Sequence, residues 1–412
     1  MSKLLHVAER YSNDLGYQWH PDKCAIIEPP SHSSSVTTTN QLSQHSYTLY
    51  NKAIPTVQCF NYLGIPFNCY GIDANQLVTQ RTTKATGSMA LLRQLSIHQY
   101  GVGLWPALRT YRTFIRPVLE YGLDITAFTQ KQKEQLHSAQ KNCIKMTLNR
   151  NSSTPFPTIV PMVLADLPSM HTRIRILQLK FVSRLQGLPV TTMARSVELF
   201  FLWNQPRDKQ WKQLTSNNPF YQLFNKLKNG DNPPKNAITT TVEQKRNEEY
   251  SVRRNKRKTI RCLRAQRAID PILYLPAFSR DRHRLVKWRM HWLPSYPLKD
   301  CGCGKANANR EHYQICPLLQ PLLNQLFEEF GTIPVLPDEI HPADYIMNRL
   351  PRPEFGLSLS KWKQAWPTLI HVLREIDRLS HPGEHFDDDE PNPEDALNQP
   401  SSQQLSQAAE NL

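Results

Sequence analysis

Residues 108–123 read LRTYRTFIRPVLEYGL, and this stretch indicates the dominant secondary structure of the chain. Proline has no amide hydrogen to donate, so Pro117 inside the stretch predicts a kink or a restart of a helix. The apolar side chains recur at the three- and four-residue spacing that places them on one helix face. They are Leu108, Tyr111, Ile115, Leu119 and Leu123. The stretch therefore predicts packed helices with an interruption near Pro117.

Helical spacing continues on both sides of this stretch. Apolar residues three apart around Met89, a run over 130–148 and a run over 174–185 predict three more helices, the last closed by Gly187. Lys and Arg populate the opposite faces, where they either form an ordinary solvated surface or line a groove. Residues 71–205 are therefore predicted to form one helical domain.

The N-terminal part of the chain combines one helix with short strands. Residues 4–15 follow helical spacing, and Gly16 supplies a left-handed cap. Strand-like runs follow at 24–27, 46–50 and 57–67. The sequence thus predicts an α+β fold that is predominantly α, with a small α/β unit at its start.

Net charge is the strongest compositional signal. The 412 residues carry 50 Lys and Arg against 35 Asp and Glu, a formal charge of +15. Eight of the acids and no Lys or Arg fall in residues 382–412, which leaves +23 on residues 1–381. So basic a body predicts a polyanionic partner, RNA or DNA, and the acidic tail is predicted to be disordered. A basic protein without such a partner is the alternative.

Membrane and secretion signals do not occur in the sequence. No stretch approaches the roughly 18 consecutive apolar residues of a membrane span. Charged residues interrupt the N-terminal segment where a signal peptide would be apolar. The sequence therefore predicts a soluble intracellular protein without a membrane partner.

Basic residues concentrate in two segments. Residues 206–268 are predicted to be a polar linker that becomes basic, and the run 253–258 reads RRNKRK. Such a run predicts nuclear import or a phosphate-binding arm, with an exposed basic helix as the alternative. Residues 279–292, SRDRHRLVKWRMHW, interleave Trp with Arg, a pattern that stacks on unpaired bases unless Trp288 and Trp292 are packed inside. The nucleic-acid contacts predicted from the two segments are Arg253, Arg254, Lys256, Arg257, Lys258, Arg261, Arg264, Arg280, Arg282, Arg284, Lys287 and Arg289.

Cysteine and histidine cluster in the last predicted ordered region, residues 269–381. Three thiols and one imidazole fall within sixteen residues, a donor set that can close a tetrahedral Zn²⁺ site. Gly302 and Gly304 give the backbone the freedom that a single-residue gap between two ligands requires. Reduced free thiols in a loop are the alternative. The four candidate ligands are Cys301, Cys303, His312 and Cys316.

No self-contained catalytic motif is present. The P-loop, dinucleotide-binding, H-E-x-x-H and G-x-S-x-G patterns are all missing from the sequence. Nucleotidyl transfer by two metal ions needs converging carboxylates, and the adjacent aspartates at 387–389 lie in the predicted disordered tail. No catalytic residue is therefore assigned.

Several segments, taken in order, resemble the reverse transcriptases of non-LTR (LINE-like) retrotransposons. Residues 4–28, LLHVAERYSNDLGYQWHPDKCAIIE, are similar to motif D, and residues 57–67, VQCFNYLGIPF, are similar to the motif E hairpin. Residues 111–123, YRTFIRPVLEYGL, resemble the thumb helices of these elements. The cluster at 301–316 resembles their C-terminal zinc knuckle.

The resemblance implies part of an RNA-directed DNA polymerase. Residues 1–70 would be a palm remnant and residues 71–205 a thumb-like domain, followed by a knuckle region with structural Zn²⁺. In that family the motif D lysine, here Lys23, is placed near nucleotide phosphates. Tyr62 and Gly64 would belong to the hairpin that grips the primer end.

The resemblance also implies what this chain does not supply. The fingers, most of the palm and the catalytic aspartates would precede Met1, so the chain is expected to bind RNA or DNA in the nucleus without polymerising alone. An upstream polymerase segment of the same element is the expected protein partner. A stand-alone zinc-containing nucleic-acid-binding or scaffold protein, unrelated to polymerases, is the alternative.

Overall fold

Helices dominate the structure. This computed structural model describes residues 2–27, 47–151, 157–203, 209–231, 234–337, 340–357, 361–381 and 390–398. Within those ranges the strands form two small antiparallel sheets, one of two strands and one of three. The predicted fold class, α+β with a helical majority, is therefore confirmed. Among the described helices, none is long and apolar enough to cross a membrane.

Helix α1 (Ser2–Asp14) and two small sheets form the N-terminal unit. Gly16 follows α1 with a φ of 73°, the left-handed cap that the sequence predicts. The amide of Tyr50, in the turn of the first hairpin, donates to Glu9 and so ties that hairpin to α1. The strands are β1 (Thr48–Leu49), β2 (Lys52–Ala53), β3 (Cys59–Tyr62), β4 (Ile65–Asn68) and β5 (Gly71–Ile72).

The strand predicted at 24–27 is wrong. These residues make a single parallel bridge, in which Ile26 pairs with Thr56. The amide of Ile26 donates to the carbonyl of Pro55 at 3.0 Å, but Pro55 has no amide with which to extend the ladder. An apolar run therefore stays an extended segment here.

The predicted hairpin over 57–67 is confirmed as β3 and β4. Tyr62 pairs with Ile65, so the turn between them has two residues. Leu63 and Gly64 in this turn have φ values of 49° and 76°, which is the backbone twist that suits a two-residue hairpin turn. Side chains at the tip of the hairpin consequently project into solvent.

The stretch 108–123 folds as two helices joined by a wider turn. α3 (Leu104–Thr110) leads into one π-helical turn at Tyr111–Ile115, and α4 (Arg116–Glu120) follows. The π turn ends where Pro117 enters α4, because this proline cannot donate to a carbonyl in the preceding turn. The interruption predicted near Pro117 is confirmed.

The predicted helices around this stretch also form. They are α2 (Ala74–Gln94), which packs along α5 (Gln130–Thr147), followed by α6 (Ile159–Leu164) and α7 (Met170–Gln186). A capping box of Thr129 and Gln132 begins α5, and Gly187 follows the last residue of α7.

Helix α7 is shared by two hydrophobic cores. Its residue Ile174 belongs to the larger core, whereas Ile176 and Leu179 belong to a second, smaller core. Phe220 and Phe224 fill the smaller core from residues 206–268, the segment predicted to be a polar linker. Helices α8 to α12 in this part of the chain are Met193–Trp203, Lys209–Leu214, Pro219–Lys228, Ala237–Lys256 and Lys258–Arg261.

The C-terminal region packs around its longest helix. The larger core continues from Leu77 through to Leu379 of this helix, so it joins the helices of residues 71–205 to the C-terminal region. Residues 390–398, within the predicted acidic tail, pack against the same helix, where Ala396 is buried. Helices α13 to α17 are Ser279–Arg289, His312–Ile315, Gln320–Phe330, Pro342–Met347 and Trp362–Leu379.

Candidate metal centre and nucleic-acid interface

The predicted ligands come together at one point. The ligand atoms of all four lie within 4.8 Å of one another. The Sγ atoms of Cys301 and Cys316 are 3.7 Å apart, and Cys303 Sγ lies 3.3 Å from His312 Nε2. Tetrahedral zinc bonds imply about 3.8 Å between two sulfurs and about 3.6 Å between sulfur and nitrogen. These two pairs are within a few tenths of an ångström of zinc geometry, and the widest pair of the cluster needs to close by at most about 1 Å.

A tight turn presents the first two thiols. The amide of Cys301 donates to Lys305 at 2.9 Å, and the amide of Gly304 donates to the carbonyl of Cys301 at 2.8 Å. Gly304 has a φ of 90°, a conformation that favours glycine. A Cβ on Gly302 would lie 3.1 Å from Leu379, because the Gly302 amide donates to the Leu379 carbonyl. The two glycines thus explain how a single-residue gap can separate two ligands.

The short helix α14 presents the other two ligands. Its first residue is His312, whose amide donates to the side chain of Asn309 at 3.0 Å. Cys316 follows the helix and is fully buried, and its carbonyl accepts from the amide of Gln320 as α15 begins. His312 therefore begins a short helix that leads directly to Cys316.

The environment of the cluster sets the protonation of its donors. Burial raises the pKa of Cys316 to about 12. Burial acts the same way on Cys303, but hydrogen bonds from the Lys305 amide and the other two thiols outweigh it and lower the pKa of Cys303. Burial and the Lys305 charge lower the pKa of His312, which keeps its imidazole in the neutral form that binds metals. Three sulfurs and one neutral imidazole are the donors that zinc prefers.

A buried polar network supports the knuckle, defined here as residues 301–316. Arg310 donates to Asp344 at 2.8 Å and lies over the ring of Trp288, 3.8 Å from its centroid. Trp288 itself is fully buried and donates to the other oxygen of Asp344 at 3.0 Å. The alternative in which Trp288 is packed inside is therefore correct, and this side chain is not free to stack on a base. Trp292 is half-buried, with Arg150 5.8 Å from its ring.

Three of the nucleic-acid contacts predicted on α13 are wrong, because these side chains bind groups within the protein. The Arg289 side chain is fully buried between Asp270 and Asp344. Arg284 is 8% exposed and pairs bidentately with Glu390 at 2.7 Å. Arg282 donates to the carbonyls of Ile272 and Leu275. These partners all lie outside α13, so helical spacing within this segment could not reveal them.

The remaining predicted cations differ in exposure. Lys256, Arg257 and Lys258 are exposed, as is Arg280, whereas Lys287 is half-buried. The other four predicted contacts are half-buried and bind groups of the protein. Arg253 pairs with Glu249 and donates to Ser169. The other three donate to backbone carbonyls: Arg254 to that of Arg261, Arg261 to that of Asn255 and Arg264 to that of Leu350. The exposed end of the basic run therefore lies at 256–258.

The basic run meets the knuckle. Lys258 Nζ lies 3.5 Å from Glu311 Oε1, and Glu311 directly precedes the candidate ligand His312. Two features more than forty residues apart in the sequence therefore share one surface. Lys299 and Lys305 of the same region are also exposed.

The hairpin tip is clamped by two side chains that the sequence did not single out. Arg81 donates to the carbonyl of Gly64 at 2.5 Å and lies over the ring of Tyr121. Tyr121 in turn donates to the carbonyl of Leu63 at 2.8 Å. Tyr62 stays 61% exposed beside this clamp. Tyr121 belongs to the quoted helical stretch, but only the folded chain shows that it meets the hairpin.

Lys23, whose side chain the resemblance would place near nucleotide phosphates, lies in a surface turn. It ends the short 3₁₀ turn Pro21–Lys23 and is exposed. Asp22 beside it is paired with Lys52 at 2.8 Å.

Comparison with known proteins supplies no relative from which a function could be transferred. No family model, no curated protein and no solved structure matches this chain.

Proposed function

We propose that this chain binds RNA or DNA as the thumb-like and C-terminal part of a polymerase resembling non-LTR reverse transcriptases, with a zinc knuckle at its binding surface. The observation that carries the proposal is the contact between Lys258 and Glu311, 3.5 Å apart. It places the exposed end of the basic run beside the Cys₃His cluster. Counterion release from the nucleic acid would supply most of the affinity there.

The metal cluster contributes rigidity to this surface. Zinc bound by Cys301, Cys303, His312 and Cys316 would fix the knuckle, since structural zinc sites fold together with their ligands. The knuckle bears Lys305 and lies beside Lys258, both exposed. Zinc is thus assigned a structural role, and the neighbouring lysines are assigned the contacts with phosphate.

The hairpin is the second support for the proposal. Arg81 and Tyr121 hold its tip by hydrogen bonds to Gly64 and Leu63, which leaves Tyr62 on the surface. A rigid hairpin with an exposed aromatic ring suits a contact with the end of a primer strand. This is the role that motif E has in the enzymes that the chain resembles.

Helix α1 supports the expectation of an upstream polymerase segment. Its apolar side chains recur at helical spacing and form a stripe that is exposed rather than packed. The stripe consists of Leu4, Val7, Tyr11 and Leu15, which are 70%, 52%, 59% and 59% exposed. We assign this stripe to contact with the upstream polymerase segment.

Polymerase activity is not proposed for the chain alone. Two-metal nucleotidyl transfer requires converging carboxylates. In the described part of the chain, no group of three or more metal-ligating side chains gathers apart from the knuckle.

The basic run at 253–258 is proposed to direct the protein to the nucleus.

The experiment that tests the proposal measures binding to labelled RNA and DNA by fluorescence anisotropy over a range of salt concentrations. Replacing Lys256, Arg257 and Lys258 by alanine should weaken binding to all sequences. The slope of log affinity against log salt should become shallower by about 2 to 2.7, because each phosphate contact contributes about 0.7 to 0.9.

The matched control removes the same charge elsewhere. Lys226, Lys228 and Lys235 are exposed and lie away from the knuckle in sequence. Their triple alanine variant should keep most of the salt dependence. Equal losses in both variants would show that net charge alone attracts the nucleic acid, and absence of binding at low salt would refute the proposal.

A further inference from the structure

A half-open cavity of about 280 Å³ lies between the basic run and the knuckle. Lys258 contributes one wall and the residues around Arg310 contribute another, while Pro294 and Leu298 supply apolar surface. The polar groups that line it come from four different segments of the chain. They are Lys258, His291, Ser295, Asn309, Arg310, Glu311, Gln314 and His341.

His341 provides an unpaired polar atom in this cavity. The residue is 2% exposed, and its Nδ1 accepts from the amide of Ala343 at 3.1 Å. Its Nε2 is buried and makes no hydrogen bond of good geometry among the residues that the structure describes, although a weaker interaction with the Tyr313 backbone acts on the ring. Buried polar atoms of proteins are nearly always satisfied, so a ligand group is the natural partner for this one.

His291 follows the C-cap of α13 and lines the cavity. Its φ of 59° is that of a left-handed helix cap, in which the amide of Trp292 donates to the carbonyl of Lys287 at 2.9 Å. Arg310 Nη1 lies 3.0 Å from Nε2 of His291. Burial and the Arg310 charge lower the pKa of His291 to about 3, and the same two causes hold the pKa of His341 well below its ordinary value.

Neutral imidazoles give the cavity both donors and acceptors. Each neutral imidazole offers one N–H and one bare nitrogen, and the amides of Asn309 and Gln314 also offer both kinds of group. Each cation of the lining has an acidic neighbour: Asp344 for Arg310, and Glu311 for Lys258, whose exposed Nζ can still contact a phosphate. The lining is therefore polar and close to electrically balanced, which favours an uncharged heterocycle over an anion.

We propose that this cavity receives one unpaired nucleobase of a single-stranded RNA or DNA, whose phosphates run along Lys256, Arg257 and Lys258. Unpaired bases are read by hydrogen bonds to their edges and by stacking, and a base fits the volume. The inference rests on the proposed nucleic-acid binding and adds to it a preference for strands that carry bases.

The test compares oligonucleotides that differ only in their bases. Anisotropy titrations use labelled single strands of equal length: RNA and DNA homopolymers, and a strand of the same backbone made of abasic sites. The wild-type protein should bind the best homopolymer about 5- to 100-fold more tightly than the abasic strand, the range that one stacked or bonded base supplies. The RNA and DNA arms identify which strand provides the base.

Two variants of the lining make the test specific. Leu298→Trp fills the cavity from its exposed edge, and Gln314→Ala removes a donor and an acceptor. Both should reduce the difference between homopolymer and abasic strand while the salt slope stays that of the wild type. Val335→Trp, at a residue outside this cavity that is 101% exposed, is the matched control and should change neither quantity.

The two proposals fail differently. Equal affinity for homopolymer and abasic strands, with a salt slope that depends on Lys256, Arg257 and Lys258, would overturn the cavity proposal and leave nucleic-acid binding intact. An unchanged base preference in both Leu298→Trp and Gln314→Ala would likewise overturn it. Absence of binding to every strand would overturn both proposals.

Discussion

Replacing Cys316 by serine should weaken zinc binding about 100- to 1,000-fold. Structural zinc contributes about 10–16 kcal/mol of apparent binding free energy in small zinc domains, so each of four ligands accounts for about 2.5–4 kcal/mol. One tenfold change in affinity corresponds to about 1.4 kcal/mol. The sulfurs of Cys301 and Cys316 already lie at zinc geometry, 3.7 Å apart, so the Cys316 ligand contributes without a large rearrangement of this pair.

The assay is competition with a chromophoric chelator, together with the zinc content of the purified protein. The wild type should hold about one zinc per chain, and Cys316→Ser should release it to the chelator. Zinc at 100 times its dissociation constant should stabilise the wild type by about 2.7 kcal/mol. Thermal unfolding monitored with and without zinc should show that difference in the wild type only.

Cys143→Ser is the control for loss of a buried thiol. Cys143 is fully buried, as Cys316 is, but it lies in the helical core next to α2. This variant should keep its zinc. Retention of zinc at wild-type affinity by Cys316→Ser, or its loss from Cys143→Ser, would refute the assignment of the metal to the knuckle.

Two other predictions follow from buried charges. Arg289→Met leaves Asp270 without its ion-pair partner, so it should lower the free energy of unfolding by about 3–5 kcal/mol in urea titrations. Arg280→Met, at an exposed position, should lower it by less than about 0.5 kcal/mol. Equal effects of the two variants would contradict the buried pairing. Burial raises the pKa of the Glu390 carboxyl, but the hydrogen bond and charge of Arg284 outweigh burial and lower this pKa from 4.5. The contact of residues 390–398 with α17 should therefore be complete above about pH 4.5 and should weaken as the pH falls through the lowered pKa. Hydrogen exchange of 390–398 against pH measures this, and Glu390→Gln should remove the acid transition; the same transition in that variant would show that another group controls it.

The sequence was sufficient for features that depend on local spacing. The helix over 108–123, with its interruption near Pro117, follows from apolar periodicity and from the chemistry of proline. The Cys₃His cluster could be predicted for the same reason, because its four residues lie within sixteen positions of the sequence and its glycines mark the turn.

Features that depend on partners outside the local segment could not be predicted from the sequence. Nothing near Arg289 indicates that Asp270 and Asp344 would enclose it, so its position in a basic segment favoured an exposed contact. Phe220 and Phe224 lie in a polar segment, and their core forms only because α7 turns a second apolar face toward them. The clamp on the hairpin likewise joins Arg81 and Tyr121 across separate helices.

The hydrogen bond between Gly302 and the end of α17 connects the candidate metal site to residues that are not its ligands. The Gly302 amide donates to the carbonyl of Leu379, and two residues earlier Asp377 accepts from Arg284 at 2.8 Å. Arg284 in turn grips Glu390. Loss of zinc from the proposed site would therefore loosen the C-terminal end of α17 and, through Arg284, its contact with residues 390–398.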